Sequence, residues 1–327
     1  MKPILEVNAM NVTFKVGPPY RRQDLQAVAG ISFDVRAGET FALVGESGSG
    51  KTTLARAING LQRITSGEVI FEGKRIDGLG RSAMRPIRRH MSMMFQDPVG
   101  SLSPRMTVGD LVTEPFRIHR VEADLAAETQ RLLALVGLPL EFASRYPHQL
   151  SGGQARRVGV ARSIALNPRL IIADEPTAGL DVSVQGEVLN LLNDLRDRLG
   201  LAMIIITHNL HVVFHVADRM SVMYLGRFVE SGSTQDIFDA PMHPYTAALL
   251  SASPEPRPDR KSARISLPAE VPSLLDRPNG CEFHTRCPWA RARCAADAPT
   301  IEGTSRRVSC FYPLERGVLR ATQEHAK

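Results

Sequence analysis

Residues 45–52 read Gly-Glu-Ser-Gly-Ser-Gly-Lys-Thr, and no other stretch of the chain narrows its possible folds as far. The run matches the GxxxxGK[ST] phosphate loop. It follows a compact apolar segment, Phe41–Val44, and precedes a stretch predicted to open a helix near Lys51, which is the context the motif needs. Gly45, Gly48 and Gly50 let the backbone curl so that successive N–H groups and the helix N-terminus face negative oxygen. Lys51 is placed to neutralise β- and γ-phosphates, and the Thr52 hydroxyl to ligate Mg²⁺. A glycine-rich turn that merely joined strand to helix would not need Lys-Thr at this offset.

The surrounding pattern is that of an α/β domain with a largely parallel sheet. Phe41–Val44, Leu170–Ala173 and Met203–Ile206 are short apolar runs that end in polar or glycine-rich turns, as buried strands do when their C-terminal ends form a ligand edge. Leu5–Val16, Ile31–Phe41 and Glu68–Phe71 alternate apolar with polar residues and predict an antiparallel β layer beside that sheet. Between about 97 and 165 helical spacing takes over, as at Leu132, Leu133, Leu135 and Val136, which predicts an inserted helical subdomain. The acids Asp174 and Glu175 end the Leu170–Ala173 strand. Such a pair suits a site where Asp174 holds Mg²⁺ and Glu175 orients and deprotonates water.

Composition excludes several classes. With 327 residues, 43% of them hydrophobic, the chain can bury a core of its own. No segment approaches the roughly 20 apolar residues of a membrane helix. The N-terminal MKPILEVNAM lacks the apolar core and cleavage site of an export signal, so a cytoplasmic protein is expected. The net charge of +6 is spread in pairs, Arg88–Arg89, Arg156–Arg157 and Arg306–Arg307, which read as solvated surface rather than a nucleic-acid patch.

Leu150-Ser151-Gly152-Gly153-Gln154 opens a further helical pattern. It presents a hydroxyl and small-residue N–H groups at a helix start, a second anion site that the chain's own phosphate loop does not explain. The segment resembles the LSGGQ signature of ABC ATPases. That resemblance implies a second cassette subunit bound head to tail, with ATP sandwiched between one chain's phosphate loop and its partner's signature. It also implies that Phe14, or the nearby Tyr20, stacks on adenine. Gly45, Ser47, Gly48, Gly50, Lys51, Thr52 and Thr53 would hold the phosphates, and Ser151, Gly153, Gln154 and Asp181 would complete the site across the interface. Gln96, in Phe95-Gln96-Asp97-Pro98, resembles the glutamine that contacts Mg²⁺ and water, and His208, in Thr207-His208-Asn209, the switch histidine. Two positions depart from the family pattern. Ala178-Gly179-Leu180-Asp181 lacks the more usual serine, and Asn209 stands where aspartate is common.

Gln96-Asp97-Pro98 with Ser101-Leu102-Ser103-Pro104-Arg105, Met223-Tyr224-Leu225-Gly226-Arg227 and Pro241-Met242-His243-Pro244-Tyr245-Thr246 narrow the resemblance to the oligopeptide/dipeptide importer ATPases. The resemblance implies peripheral attachment to the cytoplasmic face of the membrane, two transmembrane permease subunits and an extracytoplasmic solute-binding protein. Relatives with the same tail also serve nickel, opines and glutathione. A soluble ABC ATPase acting on nucleic acid or ribosomes would be expected to carry two cassettes or a long coiled coil, and neither is present. A subunit that binds ATP without hydrolysing it is disfavoured by Glu175.

Residues 1–252 are expected to form the ATPase domain and 253–327 a proline-rich arm with a four-cysteine extension. All four cysteines, Cys281, Cys287, Cys294 and Cys310, lie in that extension. Their C-x5-C-x6-C-x15-C spacing lacks the CxxC knuckles of structural zinc, and a cytoplasmic location argues against disulfides. The residues alone leave open an iron–sulfur cluster, zinc or another metal, and free thiols. The importer resemblance implies a four-iron four-sulfur cluster, and His284 and Trp289 read as packing or surface groups around these cysteines.

Overall fold

The structure, a computed structural model, describes residues 2–95, 97, 100–252, 265–268, 270–315 and 318–319. Strands β1 (Pro3–Val16) and β2 (Gln23–Arg36) pair antiparallel, and their alternation sends Leu5, Val7, Val28, Ile31 and Phe33 to one buried face. The segment Ile31–Phe41, expected to lie wholly in the antiparallel layer, is divided between two strands. The chain turns at Ala37-Gly38, and Phe41 belongs to β3 (Thr40–Val44) in a different sheet. A tight turn that preserves the two-residue period cannot be seen in hydrophobicity alone. All five residues of β3 are buried, as expected of a strand covered on both faces.

After β3 come the phosphate loop and α1 (Lys51–Ile58), then β4 (Ser66–Phe71) and β5 (Lys74–Arg75), which complete a four-stranded sheet in the order β2-β1-β4-β5. Helix α2 (Arg81–His90) leads into β6 (Met91–Met94). The helical insertion follows as α3 (Val108–His119), α4 (Leu125–Leu135) and α5 (Gly152–Ile164), each started by a side-chain cap, from Thr107, Asp124 and Ser151 respectively. The chain then alternates β7 (Leu170–Asp174), α6 (Val182–Leu199), β8 (Ala202–Thr207), α7 (Leu210–Val216) and β9 (Arg219–Tyr224), before β10 (Arg227–Ser233), α8 (Thr234–Asp239) and α9 (Pro244–Ala252).

The main sheet runs β11-β10-β9-β3-β8-β7-β6, where β11 is Arg307–Val308. Strands β6, β7, β8, β3 and β9 are parallel, so the phosphate loop after β3, Asp174 at the end of β7 and Thr207 at the end of β8 share one edge. One apolar cluster fills the space between the antiparallel layer, α1 and this sheet, and a second lies under the helical insertion. Among the described residues, no helix is long and apolar enough to cross a membrane.

The described part of the C-terminal region has little regular structure: a 3₁₀ turn at His284–Arg286, α10 (Ala292–Ala296), the two-residue β11, and a short antiparallel pair of β12 (Leu314–Glu315) with β13 (Val318–Leu319). It nevertheless lies against the main sheet. Phe283 is buried against Tyr224 and Tyr245, with ring centroids 5.3 and 5.4 Å away. Three of the expected arm's prolines, Pro254, Pro256 and Pro258, fall outside the described residues. The basic pairs read as solvated surface also need correction. Arg156 is 1% exposed, and Arg306 bonds the fully buried Glu230 carboxylate. Helical or loop spacing does not reveal when a guanidinium turns inward to meet carbonyls or a buried acid.

Candidate functional site

The phosphate loop has its shape because two glycines permit contacts that no other residue would. A Cβ on Gly50, at φ 101°, would come within 2.2 Å of the Ala27 carbonyl oxygen, and one on Gly45 within 2.2 Å of that of Met223. The loop therefore lies directly on the backbone of β2 and β9. Within it, the Lys51 ammonium donates to Gly45 O at 2.7 Å, Glu46 O at 2.8 Å and Ser49 Oγ at 3.1 Å. Burial lowers the Lys51 pKa, and the nearby carboxylates Glu175, Asp174 and Glu46 oppose that shift.

A cleft of about 690 Å³ opens above the loop. Gly45, Ser47, Gly48, Gly50, Lys51, Thr52 and Thr53 line it together with Asp174, Glu175, His208 and Phe14. Its volume lies within the range of small-molecule sites. Phe14 stands at the rim, whereas the alternative aromatic Tyr20 is 89% exposed and does not line the cleft. Leu249 on α9 and Leu274 in the C-terminal region add an apolar wall, which the sequence did not signal.

Asp174 is buried at the end of β7, and its Oδ1 has no hydrogen-bond partner among the described residues. Desolvation raises its pKa, partly offset by the Thr52 hydroxyl that donates to it. An orphaned carboxylate oxygen beside a hydroxyl fits a hard divalent cation such as Mg²⁺. Glu175 follows in the left-handed region at φ 51°, a conformation that costs free energy and marks functional positions. Its Oε1 lies 2.7 Å from His208 Nδ1, and its Oε2 lies 3.5 Å from Thr207 Oγ1. The carboxylate and the imidazole thus form a dyad in the cleft that Lys51 also lines. Asn209 caps α7 by accepting from His211 N at 3.0 Å. The change from aspartate keeps the cap.

The signature residues stand elsewhere. Ser151 caps α5 and forms a reciprocal capping box with Gln154, while Ser151 and Asp181 are exposed. None of Ser151, Gly153, Gln154 and Asp181 lines the cleft. Gln96 lies outside the described residues. Sequence reasoning missed Arg156, which follows the signature. Its guanidinium donates to Phe95 O at 3.5 Å and Ala178 O at 3.2 Å, tying α5 to the segment before Gln96 and to the turn after Glu175.

Cys281, Cys287, Cys294 and Cys310 are free thiols that border one enclosed cavity, with Trp289 and His284 in its wall. Burial pushes the Cys287 thiol up to about 11 and the Cys310 thiol up to about 12, and the neighbouring thiols add to both shifts. Four thiols bordering one cavity are the type of donor that suits a soft metal centre. As the side chains stand, no group of three or more such donors among the described residues is arranged to hold a metal ion.

The ABC transporter family model matches residues 28–178, and the model of the oligopeptide/dipeptide transporter C-terminal region matches residues 229–294. The oligopeptide transport ATP-binding protein OppF of Escherichia coli strain K12 is 44% identical, with 95% of this chain and 96% of that protein covered. The probable peptide ABC transporter ATP-binding protein y4tS of Sinorhizobium fredii is 49% identical over 88% of this chain and 81% of its own length. Among solved structures, the ATP-binding cassette MJ0796, described as a dimer in a post-hydrolysis state bound to ADP and Pi, superposes with a TM-score of 0.64. It is 28% identical, with 70% of this chain and 98% of that one covered.

Proposed function

This chain belongs to the ABC transporter family and carries the oligopeptide/dipeptide transporter C-terminal region, and from that premise we propose that it is the ATP-hydrolysing subunit of a peptide importer. The observation that carries the reading is the Glu175–His208 dyad, which lines one cleft together with Lys51. Residues 1–252 would be the ATPase unit and 253–327 an accessory to it. The chain works at the cytoplasmic face of the membrane, where two permease subunits receive its motion and an extracytoplasmic solute-binding protein supplies the solute.

Phe14 stacks on adenine, and the loop from Gly45 to Thr53 holds the phosphates through backbone N–H groups and the Lys51 ammonium. Thr52, Asp174 and Gln96 hold Mg²⁺, which supplies charge neutralisation at the phosphates when bound. Glu175 accepts a proton from the attacking water, and His208 positions the Glu175 carboxylate and meets the terminal phosphate. Ser151, Gly153, Gln154 and Asp181 act on the nucleotide of a second, related cassette subunit. Their separation from the chain's own cleft supports this two-chain arrangement.

The test is Glu175→Gln in the assembled transporter. Mg-ATP affinity stays within about twofold of the parent while turnover falls about 10²- to 10⁴-fold, the usual contribution of a general base. Unchanged turnover would remove Glu175 from the reaction. Stimulation of ATPase activity by short peptides, rather than by nickel, opines or glutathione, tests the substrate class.

The four cysteines are assigned to a four-iron four-sulfur cluster, which when bound cross-links a segment of little regular structure. The reading rests on the importer resemblance of the segment and on the four thiols all bordering one cavity. Anaerobically purified protein should absorb broadly near 400 nm and carry about four iron atoms, both lost in Cys287→Ser. Colourless, iron-free protein would overturn it.

A further inference from the structure

All three polar groups of Glu46, the second residue of the phosphate loop, are held. Its carbonyl accepts from Lys51. Its N–H donates to Tyr245 Oη at 3.0 Å, so the loop backbone is tied to the first turn of α9. Its carboxylate receives two parallel hydrogen bonds from Arg286, at 2.8 and 3.1 Å. Arg286 lies in the 3₁₀ turn between Cys281 and Cys287, its side chain 6% exposed and its guanidinium 5.9 Å from the Tyr224 ring centroid. That turn is hydrogen-bonded internally, with His284 N donating to Cys281 O and Arg286 N to Phe283 O, and Cys281 N donates to Cys294 O. A continuous chain of contacts therefore runs from the cysteine cavity to the residue that touches the catalytic lysine.

The pair has a direct electrostatic consequence. Glu46 places a negative charge in a loop whose task is to receive a triphosphate. With Arg286 in place, that charge is neutralised by a planar fork that also fixes where the carboxylate points. Without it, the carboxylate would repel the phosphates and compete for Lys51.

We propose that Arg286 is a positioning residue for ATP binding: it masks and anchors Glu46, so that the order of the four-cysteine segment and the occupancy of the phosphate loop are thermodynamically linked. The inference rests on the ATP-binding reading above. Linkage is reciprocal, so a segment that favours ATP must itself be stabilised by ATP.

Two measurements on the full chain test this. In the first, Mg-ATP affinity is titrated for the parent, Arg286→Ala and Arg286→Ala/Glu46→Gln. Arg286→Ala should bind about tenfold more weakly, with the defect shrinking in high salt. The second substitution should recover most of the affinity, because it removes the unmasked charge. A folded Arg286→Ala protein that binds within about twofold of the parent, or a defect that Glu46→Gln does not rescue, overturns the proposal. Failure of the parent to bind ATP would instead overturn the ATPase reading.

The second measurement does not require Arg286→Ala to fold. Amide hydrogen exchange over residues 281–287 is compared with and without saturating Mg-ATP. The parent should exchange more slowly with nucleotide, and Glu46→Gln should lose that protection. Equal exchange in the parent under both conditions overturns the linkage.

Discussion

Asn209 sits one residue after His208, whose imidazole meets Glu175, and its side chain caps α7. Asn209→Ala removes the cap at a cost of about 1 kcal/mol, whereas Asn209→Asp keeps an acceptor in the same place. We expect the alanine variant to lower kcat several-fold with little change in KM, and the aspartate variant to restore it. The split matters because a loosened dyad acts on the chemical step and not on nucleotide capture. Equal kcat in all three proteins would mean that α7 does not orient the histidine. Arg156 invites a second test at this scale. It is buried and bridges Phe95 O and Ala178 O, so Arg156→Met fills the space but releases both segments. Turnover should fall about tenfold while Mg-ATP affinity holds, because neither residue lines the cleft proposed to bind nucleotide. A loss of affinity instead would place its effect on the phosphate loop.

Among the elements, β10 joins the catalytic sheet to the C-terminal region. Glu230 on this strand is fully buried, and its carboxylate accepts from Met242 N and His243 N, both at 2.9 Å, and from Arg306. His243 in turn accepts from Tyr245 N at 3.1 Å, so the His-Pro-Tyr segment builds the start of α9 and aims Tyr245 Oη at the phosphate loop. Glu230→Ala leaves the Arg306 charge without its partner, and a loss of about 3–5 kcal/mol is expected in denaturant unfolding, with Mg-ATP affinity weakened as well. A drop under about 1 kcal/mol would show that water replaces the carboxylate. Very little of this was legible beforehand. The phosphate loop, the strands ending near Val44, Asp174 and Thr207, and the helix after Ser151 could be read because each is written in consecutive residues. Arg286 and Glu46 are 240 positions apart, and neither carries a local pattern that names the other. The division of Ile31–Phe41 into β2 and β3 was hidden because a single turn at Gly38 left the alternation intact.

On the scale of the whole molecule, the cleft and the signature stand apart, and in the two-chain reading proposed above they are the two halves of one site. Lys51, Glu175 and His208 line the cleft, while Gly152 opens α5 on an exposed face. If the halves meet only across a dimer, a change at Gly152 should leave nucleotide capture intact and abolish turnover. Gly152→Asp separates the two outcomes cleanly. A Cβ at this position would meet nothing closer than Leu180 Cδ2 at 3.6 Å, an ordinary contact, and a carboxylate in the first turn interacts favourably with the helix dipole. The variant should therefore unfold at a temperature no lower than the parent and bind Mg-ATP normally as the isolated chain. In the assembled ATPase, the same carboxylate would face the partner's terminal phosphate, where like charges in a site closed to water repel strongly, and turnover should drop by about a hundredfold or more. Parental turnover in the assembled protein would mean that α5 does not close on nucleotide. Weakened binding in the isolated chain would mean that both halves belong to one subunit's site.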